Sequence, residues 1–136
     1  MNFQILSIEN FPEVNINNFP NSVETTDQWL KEMEFLFHNH QDFVLFYPTF
    51  DPEAFANIAP EVSQAARKQI ILWLKKNRDL FKEKCKGIIL PTQADHSDLE
   101  IIKAQVSQVE TVYRVPARVL LNEMDKPGLV QELIEA

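Results

Sequence analysis

The sequence predicts an α/β fold with the element order ββαβαβαβα. Short apolar or alternating segments, typical of strands, are separated by longer segments of helical periodicity, and capping residues, glycine or proline stand at most boundaries. Helical crossovers between successive strands favour parallel pairing. We therefore expect one domain over residues 1–136, with a mostly parallel sheet, an antiparallel N-terminal hairpin and helices packed on the sheet.

The N-terminal segments predict the hairpin and the first helix. The segments "NFQILSIE" and "EVNINNF" alternate in polarity and are separated by an Asn-Phe-Pro tripeptide, which indicates two paired strands. Thr25 lies three residues before Gln28, the spacing of a capping box, and so predicts a helix start. That helix is expected to end near Asn39 and to direct one apolar stripe inward: Trp29, Met33 and Leu36.

The segment "DFVLFY" is apolar on both faces, which is typical of a central strand covered on each side. After a loop, the longest helix is predicted from Pro60 to about Lys86, with Gly87 in a left-handed position after its end.

Helical winding places two different surfaces on this helix. The inward side carries Val62, Ala66, Ile70, Trp73, Leu74, Leu80 and Phe81, and the outward side carries Arg67, Lys68, Lys75, Arg78, Lys82 and Lys86. Asn77 falls in the apolar stripe, so its amide is expected to bond a neighbouring backbone group.

The C-terminal third predicts two more strands and two more helices. "GIILPT" is a short buried strand, and Ser97 with Glu100 repeats the capping-box spacing. The helix that follows has an apolar stripe of Leu99, Ile102, Val106 and Val109. "VPARVLL" predicts the last strand, and Asp125 to Pro127 predicts the start of a terminal helix with Leu129, Val130, Leu133 and Ile134 on its apolar side.

The net charge of −7 is unevenly distributed along the chain. Residues 1–60 carry nine acidic residues against Lys31, whereas residues 61–86 carry eight basic residues against three acidic ones. Such segregation can orient a charged partner. The acidic balance and the lack of aromatic residues interleaved with the bases on the outward side of the helix argue against nucleic acid binding.

Cysteine usage and hydropathy predict a cytoplasmic location without membrane insertion. Cys85 is the only cysteine and cannot form an intramolecular disulfide. The first residues lack the basic and apolar regions of a signal peptide. The apolar runs "FVLFY" and "IILWL" are far shorter than the ~20 residues that span a bilayer.

No catalytic constellation emerges from the sequence. His38 and His40 point to opposite sides of a helix, and Ser97 is expected to cap a helix rather than act as a nucleophile. Cys85 is interpreted as a buried structural thiol. With two glycines, the chain has no glycine-rich phosphate loop. We expect a protein that is not an enzyme and binds no cofactor or metal.

The element order, "ILWLKKNRDLFKEKCKGIIL" and "ARVLLNEMDKPGLVQELI" together resemble the small bacterial SpoIIAA-like proteins of the STAS/CRAL-TRIO-like superfamily. The matching positions are Trp73, Asn77, Cys85, Gly87 and Asp125. The resemblance implies a SpoIIAA-like fold and a regulatory binding role. The sequence lacks the Asp-Ser-x-Gly phosphorylation pattern after "FVLFY", and Thr49 and Ser63 are the nearby candidates for phosphorylation.

Three functions follow from these observations. The first is a STAS-like module that binds a protein or a small ligand, with Ile71 at the centre of a basic surface for an acidic partner or a second subunit. That surface comprises Arg67, Lys68, Ile71, Lys75 and Arg78. The second is an acidic immunity protein that neutralises a basic toxin. The third is a carrier of an apolar or lipid-like ligand, in a pocket lined by Phe50, Phe55, Trp73 and Asn77.

Overall fold

A computed structural model describes residues 3–17, 22–39, 42–48, 60–93 and 95–135, apart from the side chains at 60, 62 and 63. Within these ranges the strands are β1 (Leu6–Asn10), β2 (Glu13–Ile16), β3 (Phe43–Phe46), β4 (Cys85–Pro91) and β5 (Ala117–Leu120). The helices are α1 (Val23–Asn39), α2 (Pro60–Lys84), α3 (Leu99–Tyr113) and α4 (Lys126–Glu135), and a 3₁₀ turn at Glu123–Asp125 precedes α4.

The five strands form one mixed sheet in the order β1-β2-β3-β4-β5. The β1–β2 pair is antiparallel, and the three other pairs are parallel. The α/β class, the antiparallel hairpin and the parallel remainder are therefore confirmed. The pairing of β1 with β2 shifts register between Ser7 and Asn10, which marks a bulge in β1.

The two faces of the sheet are covered differently. Crossovers between parallel strands have one hand, so the connections from β2 to β5 place α1, α2 and α3 on the same face. Their core contains Trp29, Leu74 and Ile102, packed with Val14, Leu45 and Leu90 of the strands. On the opposite face, α4 packs through Leu133 on a smaller cluster of Val44, Phe46, Ile89 and Leu120.

Strand β3 lies at the centre of the sheet, and all four of its residues are buried. Phe43 and Leu45 join the core under the three helices, and Val44 and Phe46 join the cluster under α4. The expectation of a central strand covered on both sides is confirmed. Its apolar character on both faces follows from this position.

The hairpin is apolar on one face only. Leu6, Val14 and Ile16 are buried toward the helices. Their neighbours Ser7, Glu13 and Asn15 are half-buried and Glu9 is exposed, as expected for side chains that alternate between faces. Outside β3–β5, the α4 face of the sheet is therefore polar.

A buried carboxylate holds the start of β1 against α1. Glu32 is fully buried, and its carboxylate accepts hydrogen bonds from the backbone N–H groups of Gln4, Ile5 and Leu6 at 2.9–3.2 Å. The Gln28 amide donates to the same carboxylate at 2.8 Å. These donors satisfy a charged group that would otherwise be costly to bury.

The long helix is continuous and amphipathic, as predicted. Ala66, Trp73, Leu74 and Phe81 are buried, and Ile70 and Leu80 are half-buried against the core. The prediction for Val62 concerns a side chain outside the described set. Arg67, Lys68, Lys75 and Lys82 are exposed.

The predicted end of this helix was wrong. The helix ends at Lys84 and β4 begins at Cys85, so Lys86 belongs to the strand, where its ammonium lies 3.5 Å from the Asp42 carboxylate. Gly87 is a buried strand residue, and neither glycine has a positive φ. A Cβ built on Gly87 would lie 2.6 Å from Cδ1 of Leu133. Gly87 is therefore required by the close approach of α4, not by a left-handed turn.

Two predicted helix caps also lie at other residues. The first helix begins at Val23, after Ser22, and Ser22 and Thr25 exchange side-chain to backbone hydrogen bonds of 3.0 and 3.1 Å. The capping box thus has Thr25 as its last residue rather than its first. For α3 the N-cap is Asp98 instead of Ser97.

Candidate functional site

The exposed side of α2 carries a compact surface of basic and aliphatic side chains. We call it the α2 patch, and it consists of Arg67, Lys68, Ile71, Leu72, Lys75 and Lys76, all exposed. At 100° per residue these positions fall within about half of the helix circumference. Ile71 and Leu72 retain 37% and 51% of their accessible surface, so the patch has an apolar centre. No acidic residue occurs between positions 62 and 78.

Sequence reasoning identified four members of this patch and missed two. Leu72 and Lys76 lie next to Ile71 and Lys75 in the chain, and both are exposed. The signal was present in the helical spacing, because Leu72 stands four residues after Lys68 and three before Lys75.

Arg78 was also predicted in this surface, but it is half-buried. Its Nε is buried and has no hydrogen-bond acceptor within the described ranges. Arg78 thus presents only part of its side chain to a partner, and its role in binding stays a prediction.

An acidic surface lies beside the α2 patch on the neighbouring helix. Its members are Glu24, Asp27 and Glu34, all exposed, and we call it the α1 acidic stripe. The exposed Lys31 lies on the same side of α1 and forms an ion pair of 3.0 Å with Asp27, so the net charge of this side is −2. Glu34 accepts a hydrogen bond of 2.8 Å from the Trp73 indole N–H, which links α1 directly to α2.

Two of the four residues predicted to line an apolar ligand pocket, Trp73 and Asn77, lie in the described part of the chain. Trp73 is 9% exposed, and its ring stacks on Phe37 at 5.7 Å and meets the edge of Phe81 at 6.3 Å. The Asn77 amide donates to the Trp73 carbonyl at 3.0 Å, which confirms the expected bond to the backbone. Phe50, Phe55 and Thr49 lie outside the described residues, as does the side chain of Ser63, so the pocket and phosphorylation predictions remain predictions.

Two open grooves lie on the α4 face, on either side of Lys126. One, of about 430 Å³, runs between the hairpin turn and α4, beside Pro12, Val130 and Ile134. The other, of about 330 Å³, lies at the carboxyl ends of the parallel strands, beside Asn15, Asn17 and Tyr47. Trp73 and Asn77 line neither groove. A ligand of an open α/β sheet is expected at the second position.

The ammonium group of Lys126 lies between the two grooves and is held by contacts within the protein. Lys126 Nζ lies 2.7 Å from Glu13, 3.7 Å from Glu123 and 4.9 Å from the centre of the Phe46 ring. Burial lowers the pKa of Lys126, but the hydrogen bond and charge of Glu13, helped by Glu123, outweigh it and raise the pKa overall. The lysine therefore stays charged and ties the start of α4 to β2.

Cys85 lies in a buried polar cluster under the helices. Its thiol donates to the Gly87 carbonyl at 3.3 Å, and burial raises its pKa to about 12. The Tyr47 hydroxyl donates to the Tyr113 hydroxyl at 3.3 Å, and burial raises the pKa of Tyr113 to about 12. A thiol that keeps its proton at neutral pH is a poor nucleophile, which agrees with the interpretation of Cys85 as structural.

Asp95, His96 and Asp98 precede α3 and hold the loop before that helix through hydrogen bonds. Asp95 accepts the Ser97 backbone N–H at 3.0 Å, which lowers the pKa of Asp95, and Asp98 accepts the Gln93 N–H at 3.0 Å. A ring nitrogen of His96 lies 2.9 Å from the Leu121 carbonyl. In the described part of the chain, no three His, Cys, Asp or Glu residues are grouped as a metal site would require.

No protein-family model, curated protein or solved structure matches this chain. The resemblance to SpoIIAA-like proteins thus stays a prediction. None of the described helices combines the length and hydropathy needed to cross a bilayer.

Proposed function

We propose that this protein is a non-enzymatic, STAS-like binding module that docks an acidic protein surface on the α2 patch. The observation that supports the proposal is the juxtaposition of Ile71 and Leu72 with four exposed basic residues. A protein interface commonly has an apolar centre inside a polar rim. The patch reproduces that arrangement on one helix.

The energetics of such a surface favour a partner with acidic residues around an apolar contact. Burying the exposed parts of Ile71 and Leu72 would contribute about 25 cal/mol per Å² of apolar surface. The surrounding bases would accelerate encounter and select the orientation more than they add affinity. The proposed docking is therefore sensitive to salt.

The STAS-like part of the proposal is supported by the residues that carry the resemblance. Trp73 and Asn77 occupy adjacent turns of α2 and contact each other through a backbone carbonyl. The strand that follows begins at Cys85 and contains Gly87. In this proposal the regulatory role is performed by capture and release of the partner.

A charge reversal tests the docking surface. The Lys75→Glu/Lys76→Glu variant is expected to lose at least about tenfold in partner capture from lysate of the source organism, equivalent to about 1.4 kcal/mol. Its melting temperature should stay close to wild type, because both side chains are exposed. Quantitative pull-down with mass spectrometry would measure the capture.

The matched control reverses two exposed bases away from the patch, Lys103→Glu/Arg114→Glu. It carries the same change in net charge and should retain wild-type capture. Equal capture by the wild type and both variants would remove the α2 patch from the proposal.

A further inference from the structure

We infer that the partner of the α2 patch is a second copy of this chain. In the inferred dimer a twofold axis sets the α2 patch of each protomer against the α1 acidic stripe of the other. The inference rests on the proposed function, since it takes the α2 patch as the docking surface and names its occupant.

The layout of the two helices supplies the first argument. The connections β2–α1–β3 and β3–α2–β4 place α1 and α2 side by side on one face of the sheet, and Glu34 bonds Trp73 between them. A basic and an acidic surface thus lie next to each other on one side of the molecule. A twofold interface must be self-complementary, and this pairing of opposite charges meets that requirement.

The dimensions of the two surfaces agree. Glu24 and Glu34 are separated by about 15 Å along α1, and Arg67 and Lys76 by about 14 Å along α2, at 1.5 Å per residue. A twofold axis that runs parallel to the two helices and between them would set α1 of one protomer over α2 of the other, with the two helices parallel. Because Glu34 bonds Trp73, the two surfaces would then overlap over about 9 Å, with Asp27 near Arg67 and Lys68 and with Glu34 near Lys75.

The area that a stable interface requires favours a second copy of this chain over an unrelated acidic partner. The α2 patch is about 14 Å long on a helix about 10 Å wide. A standard interface buries about 800 Å² on each partner, several times that area, so a partner must also cover a neighbouring helix.

A partner that covers α1 as well as the α2 patch contacts Glu24, Asp27 and Glu34. A uniformly acidic protein, a nucleic acid or an anionic membrane would be repelled there. A second copy presents its own bases at that position.

Hydrophobic contact adds to the charge pairing. Ile71 and Leu72 are exposed on α2, and Val23 retains 48% of its accessible surface at the start of α1. In the dimer these aliphatic side chains would lie in or beside the contact between the charged surfaces, where the other protomer would shield them from water.

Two reversed variants and their mixture test the inference. We expect the wild type to sediment as a dimer that dissociates as salt concentration rises, because exposed charges hold it. The Arg67→Glu/Lys68→Glu and Glu24→Lys/Asp27→Lys variants should each be monomers, since each brings like charges together. Circular dichroism would verify that both are folded, and Arg67→Gln/Lys68→Gln and Glu24→Gln/Asp27→Asn would replace a variant that is not.

An equimolar mixture of the two reversed variants is the decisive sample. The reversed, acidic α2 of one chain would meet the reversed, basic α1 of the other, and the unchanged α1 and α2 surfaces would also pair. We therefore expect the mixture to form a heterodimer, measured by sedimentation velocity with a fluorescent label on one variant. A folded pair that stays monomeric when mixed would overturn the inference.

Other results would separate this inference from the proposed function. A monomeric wild type at every protein concentration tested would overturn the dimer, and so would variants that dimerise as well as wild type. If the wild type is monomeric but Lys75→Glu/Lys76→Glu still loses capture of another protein, the docking surface stands and only its occupant is wrong. Patch-dependent binding of the monomer to phosphatidylserine vesicles would overturn both.

Discussion

The two halves of the sheet are stabilised in different ways. The β3–β5 half has a core on both faces, with β3 entirely buried between α4 and the three other helices. The β1–β2 half has apolar packing on one face, and its other face is polar. Charged side chains connect this half to the helices, through Glu32 on α1 and through Lys126 on α4.

The difference shows how a strand pair with half a core can still be held in place. Apolar burial is non-directional and scales with area, so the β3–β5 half tolerates changes that preserve volume. The hairpin depends on hydrogen bonds and ion pairs whose partners are individually specified. Removal of one partner there leaves buried polar groups unsatisfied.

The largest effect is expected from Glu32→Ala. The substitution leaves the backbone N–H groups of Gln4, Ile5 and Leu6 without their acceptor, and we expect a loss of about 3–5 kcal/mol in the free energy of unfolding. Urea denaturation would measure it. Hydrogen exchange should show that the Ile5 and Leu6 amides lose protection more than those of β3.

Two further variants, Glu32→Gln and Asp27→Ala, provide comparisons for the size of the loss in unfolding free energy. Glu32→Gln retains one acceptor oxygen and should lose less than Glu32→Ala. Asp27→Ala breaks an exposed ion pair on the same helix and should cost only about 0.3–0.5 kcal/mol. If Glu32→Ala were as mild as Asp27→Ala, the hairpin would not depend on the buried carboxylate.

An intermediate effect is expected in the other half from Gly87→Ala. The added methyl group meets the buried Leu133 side chain, so that side chain or α4 must shift, and overpacking of this kind costs about 1–3 kcal/mol. Thermal unfolding would measure the loss.

The same substitution at Gly128 has the opposite sign. No atom lies within 4 Å of a Cβ there, and alanine should stabilise α4 by up to about 1 kcal/mol. In the Gly87→Ala/Leu133→Ala variant the two costs should be less than additive, because the smaller side chain makes room for the methyl group. Strict additivity would argue against direct contact between the two positions.

The smallest effect is expected from Lys126→Met, which removes the link between the hairpin and α4. We expect a loss of about 1–2 kcal/mol at neutral pH, since the ion pair with Glu13 is only partly exposed. Lys103→Met, which breaks a longer and more exposed pair, should cost less than about 0.5 kcal/mol.

The contribution of Lys126 has a defined pH dependence. Its pKa is raised in the folded protein, so its stabilisation is fully present below its ordinary value of 10.5 and is lost as pH rises through the folded pKa. The difference in unfolding free energy between wild type and Lys126→Met should therefore be constant at neutral pH and shrink in strongly alkaline solution. A difference that does not shrink would point to packing instead of charge.

Local patterns in the sequence were sufficient for much of the fold. The continuous α2 helix follows from helical periodicity between Ala66 and Phe81, and the central position of β3 follows from its apolar character on both faces. The exposed basic surface of α2 was predicted for the same reason. Each of these features is determined by residues that lie close to one another in the sequence.

The features that sequence reasoning missed depend on distant segments. Glu32 lies 28 residues from Gln4, and nothing near it in the chain indicates that its carboxylate would meet backbone donors. Gly87 next to a basic helix resembles a helix end, whereas its small size serves α4, which follows much later. The α1 acidic stripe is visible in the sequence, but its position beside the α2 patch requires the strand order.

The bulge in β1 has a consequence for how this molecule can associate. A regular outer strand offers unpaired N–H and C=O groups on which another chain can add a strand, and a bulge disrupts that template. At the opposite margin β5 has only four residues and directly follows Pro116. Both margins therefore discourage sheet extension and fibrous aggregation, and contacts between folded molecules are directed to their helical surfaces.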